Sequence, residues 1–75
     1  MTPEEIQRLI EAGLPGAKVD VRGDDGVHFE AVVVSEEFHG LSTVRQHQRV
    51  YQTLGERMGR EIHALALRTA VPNNG

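Results

Sequence analysis

The sequence predicts an α+β domain in the order helix, strand, strand, helix, strand, with a three-stranded mixed sheet and both helices on one face. Three observations lead there. Two segments, one near the N-terminus and one from Ser42 onward, repeat apolar residues at three- and four-residue spacing. Between them, two alternating segments flank Gly23-Asp24-Asp25-Gly26, the signature of an antiparallel hairpin. A last apolar run follows the second helical segment, so that helix is a crossover and the third strand pairs parallel to the second.

The first helix is well marked. Thr2 suits the N-cap, Pro3 the first helical position, and Glu4 and Glu5 complement the positive end of the helix dipole. Ile6, Leu9, Ile10 and Leu14 form its apolar stripe, and Gly13 with Leu14-Pro15-Gly16 ends it. The first strand is read at residues 17–22, with Val19 and Val21 inward. The second is read at residues 27–35, with Phe29, Ala31 and Val33 on one face. Val32 and Val34 fall on the other face, which predicts an interior strand partly covered on both sides. A connector at residues 36–41 leads to Ser42, the N-cap of a helix expected to run to about Met58. Its stripe is Val44, His47, Tyr51, Leu54 and Met58, with Arg45, Gln46, Gln48, Arg49, Gln52 and Glu56 outward. Gly59 suits the C′ position and Gly55 an earlier weakening. The third strand is read at residues 62–69, followed by a frayed tail from Val71 to Gly75.

At 75 residues the chain is expected to hold a single domain spanning residues 1–75, with one small core. Zero cysteines remove disulfides, thiolate nucleophiles and Cys-ligated clusters, and point to a reducing cytoplasm. No apolar run approaches the ~20 residues of a membrane span, so no membrane association is expected. The net charge of -3 is unevenly spread: residues 1–38 carry three cations against nine carboxylates, and the remainder carries five arginines against Glu56 and Glu61. An acidic front half is a poor nucleic-acid surface, whereas the rear half can present a basic face.

Enzyme chemistry has little to work with, and the chain is read as a non-enzyme. No GxSxG pattern surrounds a serine, no glycine loop cradles phosphate, and Asp24-Asp25 in a Gly-bounded turn reads as a turn former. The histidines are the remaining candidates. No HxxxH pair exists, so any metal chemistry would be shared with a partner that supplies other ligands. His47 on an apolar stripe reads as a packed residue at the core edge and His39 as a solvated loop residue. His28 taken alone reads as incidental. His63, inside an apolar strand, weighs evenly between incidental and functional. If the second and third strands are parallel neighbours, His28 and His63 emerge at the same edge of the sheet.

Taken in order, His28-Phe29-Glu30-Ala31-Val32-Val33-Val34-Ser35, Phe38-His39-Gly40-Leu41-Ser42, Gln46-His47 with Val50, and Ile62-His63-Ala64-Leu65 resemble the BolA family. The short Gly-Asp-Asp-Gly turn before His28 resembles its IbaG-like branch. The resemblance implies an αββαβ domain similar to the class II KH fold. It also implies a non-enzymatic partner of a monothiol glutaredoxin, with a 2Fe-2S cluster bridged between glutaredoxin and glutathione on one side and BolA-type ligands on the other. The isolated chain is then expected to be a monomer without cofactor. The family's characteristic ligand carries over to His63. Many members add a Cys or His from the loop between the first two strands, for which His28 is the local substitute. Relatives often carry a Thr-Pro-x-x-Trp-like tail, where this sequence has Val71-Pro72-Asn73-Asn74-Gly75, and an Arg-His-Arg where it has Gln46-His47-Gln48 between Arg45 and Arg49.

A second reading is a transcriptional regulator that binds DNA through Arg45 and Arg49 on the second helix, with Arg57, Arg60 and Arg68 in support. The net charge and the three aromatic residues weigh against it. A third is an interaction module whose second helix docks a partner without metal.

Overall fold

A computed structural model describes residues 1–73; the last two residues of the expected tail, Asn74 and Gly75, lie outside the described residues. The chain forms α1 (Pro3–Gly13), β1 (Lys18–Arg22), β2 (His28–Val34), a 3₁₀ turn (Glu36–Phe38), α2 (Thr43–Leu54), a second 3₁₀ turn (Gly55–Arg57) and β3 (Ala64–Ala70). The sheet order is β1-β2-β3. β1 pairs antiparallel with β2 and β3 parallel with it, so the α+β class, the element order and the mixed sheet stand as read.

α1 starts on a full capping box. The Thr2 hydroxyl accepts from the Glu5 amide at 3.2 Å, and the Glu5 carboxylate accepts from the Thr2 amide at 3.2 Å. Two donors that the first turn would leave unpaired are thereby satisfied, a contribution of about 1 kcal/mol. Ile6, Ile10 and Leu14 follow at four-residue spacing and are all fully buried.

Strand register defines two unlike faces. Val19 and Val21 of β1 stand beside Val33 and Ala31 of β2, and Phe29, Ala31 and Val33 stand beside Leu65, Leu67 and Thr69 of β3. This face is covered by α1 and α2, with Phe38, Val50, Leu54 and Ile62 completing the core. The opposite face carries Asp20, Arg22, Glu30 and Arg68 and is open. β2 is the interior strand as expected, but the partial cover expected on its second face is confined to its end: Val34 is half-buried and Val32 is 43% exposed. Both helices cross on one side, and among the described residues no further element forms a layer on the other. The valines at positions 32 and 34 suit an extended backbone through their β-branching, without burial on both faces.

α2 also departs from expectation. It ends at Leu54 because Gly55 takes φ +57°, ψ -132°, a conformation open to glycine and closed to most other residues. Its buried face is Val50 and Leu54, while Val44 is 65% exposed and His47 and Tyr51 sit half-buried at the rim. Gln46 and Arg49, read as outward, turn toward the protein. Gln46 donates to the Leu41 carbonyl at 2.9 Å and accepts from the Thr69 hydroxyl at 2.7 Å, tying α2 to β3. The Arg49 guanidinium donates to the Gly13 carbonyl at 3.0 Å, at the end of α1, and to Glu37 at 3.2 Å. A hydropathy pattern assigns such side chains to solvent, although their polar ends have partners inside the fold.

This rotated stripe has a direct test in urea denaturation. Leu54→Ala should cost about 2–5 kcal/mol, and Val44→Ala should stay within about 0.5 kcal/mol of the parent. Comparable losses at both positions would contradict the observed face.

Candidate metal-ligand site at the end of the sheet

The β1–β2 turn is organised by one side chain. Asp25 Oδ1 accepts from the Val27 amide at 2.9 Å and from the His28 amide at 2.7 Å. Its other oxygen, Oδ2, lies 2.7 Å from His28 Nδ1. These hydrogen bonds, the His28 amide first among them, hold the Asp25 carboxyl well below its ordinary range. The contact engages Nδ1, so Nε2 is the ring nitrogen that the turn leaves unengaged. The His28 side chain is 72% exposed. Gly23 lets the turn close: a Cβ there would lie 2.7 Å from both the His28 carbonyl oxygen and the Phe29 ring.

The parallel register sets His28 opposite Ala64, which makes His63 the residue immediately before that pair. β3 begins at Ala64, so His63 stands in a bend ahead of the strand and not within it, as the sequence reading had placed it. The tight segment before it explains the placement. The Ile62 amide donates to the Arg57 carbonyl at 2.9 Å, and the Gly59 amide donates to the Ile62 carbonyl at 2.8 Å. Ile62 is thereby pinned into the core and His63 is left exposed at the surface. Strand spacing and one peptide step put the backbones of His28 and His63 within about 9 Å of each other. A shallow depression on the open face is lined by Arg22, Asp24, His28, Glu30, Ala64 and Ala66; His63 is not part of its lining.

The other candidates fall elsewhere. His39 is exposed after the first 3₁₀ turn, and His47 contacts Tyr51 edge-on, with ring centroids 6.5 Å apart. Among the described residues, no three His, Asp or Glu side chains converge to hold a metal ion. The two exposed imidazoles at one sheet end are of a donor type that suits several transition metals. Arg45 is exposed on the first turn of α2, whereas the Arg49 guanidinium is engaged with Gly13 and Glu37. Arg60 lies 3.9 Å from Glu56, and Arg68 stands on the open sheet face beside Val32. Arg68 on the open sheet face is thus separated from Arg45 and Arg49 on α2. The Asp25–His28 pairing escaped the sequence reading, which took Asp25 as a turn former only. Its signal was the Asp-x-x-His spacing across a turn.

A family model described as BolA-like protein matches residues 11–74. The acid stress protein IbaG of Escherichia coli (strain K12) is 37% identical over 73 residues, covering 96% of this chain and 86% of that protein. The DNA-binding transcriptional regulator BolA of Haemophilus influenzae is 45% identical over 51 residues, covering 68% of this chain and 48% of its own length. The solved structure of a bolA protein homologue from Coxiella burnetii superposes with a TM-score of 0.85 at 42% identity, covering 96% of this chain and 92% of that one. The chain spans about half the length of the first curated relatives it matches.

The turn predicts a pH response of known sign. A carboxyl with a lowered folded pKa contributes its hydrogen bonds fully above the ordinary Asp value of 3.8 and loses them as pH falls through the lowered value. Exchange protection of the Val27 and His28 amides should therefore persist at pH 4, with the Asp25 carboxyl carbon still reporting the ionised form. A titration midpoint near 4 for Asp25 would contradict the geometry.

Proposed function

The chain belongs to the BolA family, and from that membership we propose that it is a non-enzymatic partner of a monothiol glutaredoxin, sharing a 2Fe-2S cluster through histidine in cluster trafficking or iron-status and stress regulation. The observation that carries this reading is the pair of exposed histidines, His63 and His28, at one end of two parallel strands, with Nε2 of His28 left free by Asp25. His63 is assigned as the principal ligand and His28 as the second.

The donor set suits the group. Neutral imidazole in place of thiolate lowers the negative charge on the iron it binds and raises the cluster potential, as in Rieske centres. Imidazole must also be unprotonated to bind, so acid loosens the attachment, a property suited to transfer or sensing. A chain without cysteine leaves the thiolate ligands to the glutaredoxin cysteine and to glutathione. That division of labour makes the reading a cytoplasmic one, where glutathione is reduced. No helix among the described residues is long and apolar enough to cross a membrane.

A second reading, DNA binding in transcriptional regulation, is supported by the name of the Haemophilus influenzae relative. Arg45 is placed for it, but Arg49 would have to leave Gly13 and Glu37 to reach a phosphate. In a shift assay on duplex DNA at graded salt, this reading requires binding that weakens with salt and is lost in Arg45→Glu.

The cluster reading is tested by mixing the protein anaerobically with a monothiol glutaredoxin, glutathione, ferrous iron and sulfide. A coloured heterocomplex should form, and His63→Ala should alter its visible absorption and circular dichroism or abolish it. An unchanged spectrum in His63→Ala removes that ligand assignment, and a complex that assembles equally well without iron favours the metal-free docking module.

A further inference from the structure

We propose that Asp25 is a positioning residue for His28: its carboxylate fixes the imidazole in the Nδ1–H tautomer and so selects Nε2 as the donor offered at the end of the sheet. The part of this inference that concerns the cluster rests on the reading above, whereas the tautomer belongs to the isolated chain.

The geometry is specific on three counts. Asp25 is itself held, because Oδ1 receives two backbone amides, those of Val27 and His28, at 2.9 and 2.7 Å. With Oδ1 committed, Oδ2 is the oxygen facing the ring, and its 2.7 Å separation from Nδ1 is that of a strong charge-assisted hydrogen bond. Finally, the ring belongs to the residue whose own amide is bonded to the same carboxylate, so the backbone and side chain of His28 are oriented together. Carboxylate support of this kind on the far nitrogen is the usual companion of a metal-binding histidine, where it sets the ring orientation and raises ligand basicity. Asp24, the adjacent carboxylate, makes none of these three bonds, which separates the role of Asp25 from that of a generic acidic turn.

Asn at position 25 divides the turn from the tautomer. The amide oxygen of Asn can keep both backbone hydrogen bonds, because the reverse rotamer would set its NH2 group against two amide donors. The NH2 group then faces Nδ1 and donates to it, which forces the proton of a neutral ring onto Nε2.

The measurement is the nitrogen chemical shifts and proton couplings of the His28 ring in ¹⁵N-labelled isolated protein, recorded near pH 8.5, above the ordinary imidazole range. The parent should show protonated Nδ1 and unprotonated Nε2. Asp25→Asn should show the reverse, while the amide shifts of Val27 and His28 stay close to those of the parent. A parent ring protonated on Nε2, or an Asp25→Asn ring that keeps the parent tautomer with the turn intact, overturns the proposal. The same variant carried into the glutaredoxin heterocomplex should weaken cluster retention roughly 10-fold or more, in step with His28→Ala. Retention unchanged in Asp25→Asn while His28→Ala loses the cluster overturns the positioning role of Asp25. Retention unchanged in both while His63→Ala loses it overturns the ligand role of His28 and leaves the cluster reading standing on His63. No heterocomplex with any variant overturns the cluster reading and leaves the tautomer assignment standing.

Discussion

The parallel register between β2 and β3 is the constraint on which the rest of the molecule depends. A parallel pair needs a crossover, and here the crossover is α2, which must pass over one face of the sheet. α1 packs beside it on the same face, so Phe29, Ala31 and Val33 acquire their cover from Ile6, Ile10, Val50 and Leu54, and the opposite face stays open. The same register sets His28 beside Ala64, one residue from His63. A one-residue slip would send Phe29 to the open face and take His28 out of its place beside the start of β3. Core and candidate site are therefore fixed by a single choice of pairing.

Much of this frame was legible. The Thr-Pro-Glu-Glu start of α1, the alternation around Gly-Asp-Asp-Gly and the apolar run after α2 each carry a local physical signal, and together they dictate the element order. What escaped the sequence were features in which polar groups find partners far along the chain. Arg49 bonds the end of α1 across 36 positions, and Gln46 bridges to Thr69. A helical-wheel reading assigns both to solvent and rotates the stripe toward Val44. Gly55 is the stop of α2 and not merely a weakening, because its positive φ is a backbone property that spacing does not reveal. Phe38, inside the connector at residues 36–41, is fully buried, a placement no periodic pattern marks.

The site was legible in the same uneven way. That His28 and His63 lie at the same end of the sheet followed from parallel pairing. The displacement of His63 out of β3 did not, because it depends on the turn of Arg57 to Ile62 folding back to bury Ile62. Nor did the second oxygen of Asp25. One Asp can bond both a turn's amides and a ring only when turn length and rotamer agree, which residue spacing alone does not show. Among the described residues, the end of the sheet thus carries two exposed imidazoles, of which His28 is held by Asp25.

The central claim is that a histidine of this chain binds the iron of a shared cluster. Pulsed electron paramagnetic resonance of the reduced heterocomplex, prepared with this chain alone ¹⁵N-labelled at histidine, tests it most directly. The account predicts a strong nitrogen hyperfine coupling that changes from the ¹⁴N to the ¹⁵N pattern on labelling and disappears in His63→Ala. A reduced cluster with no coupling that responds to the label would contradict it.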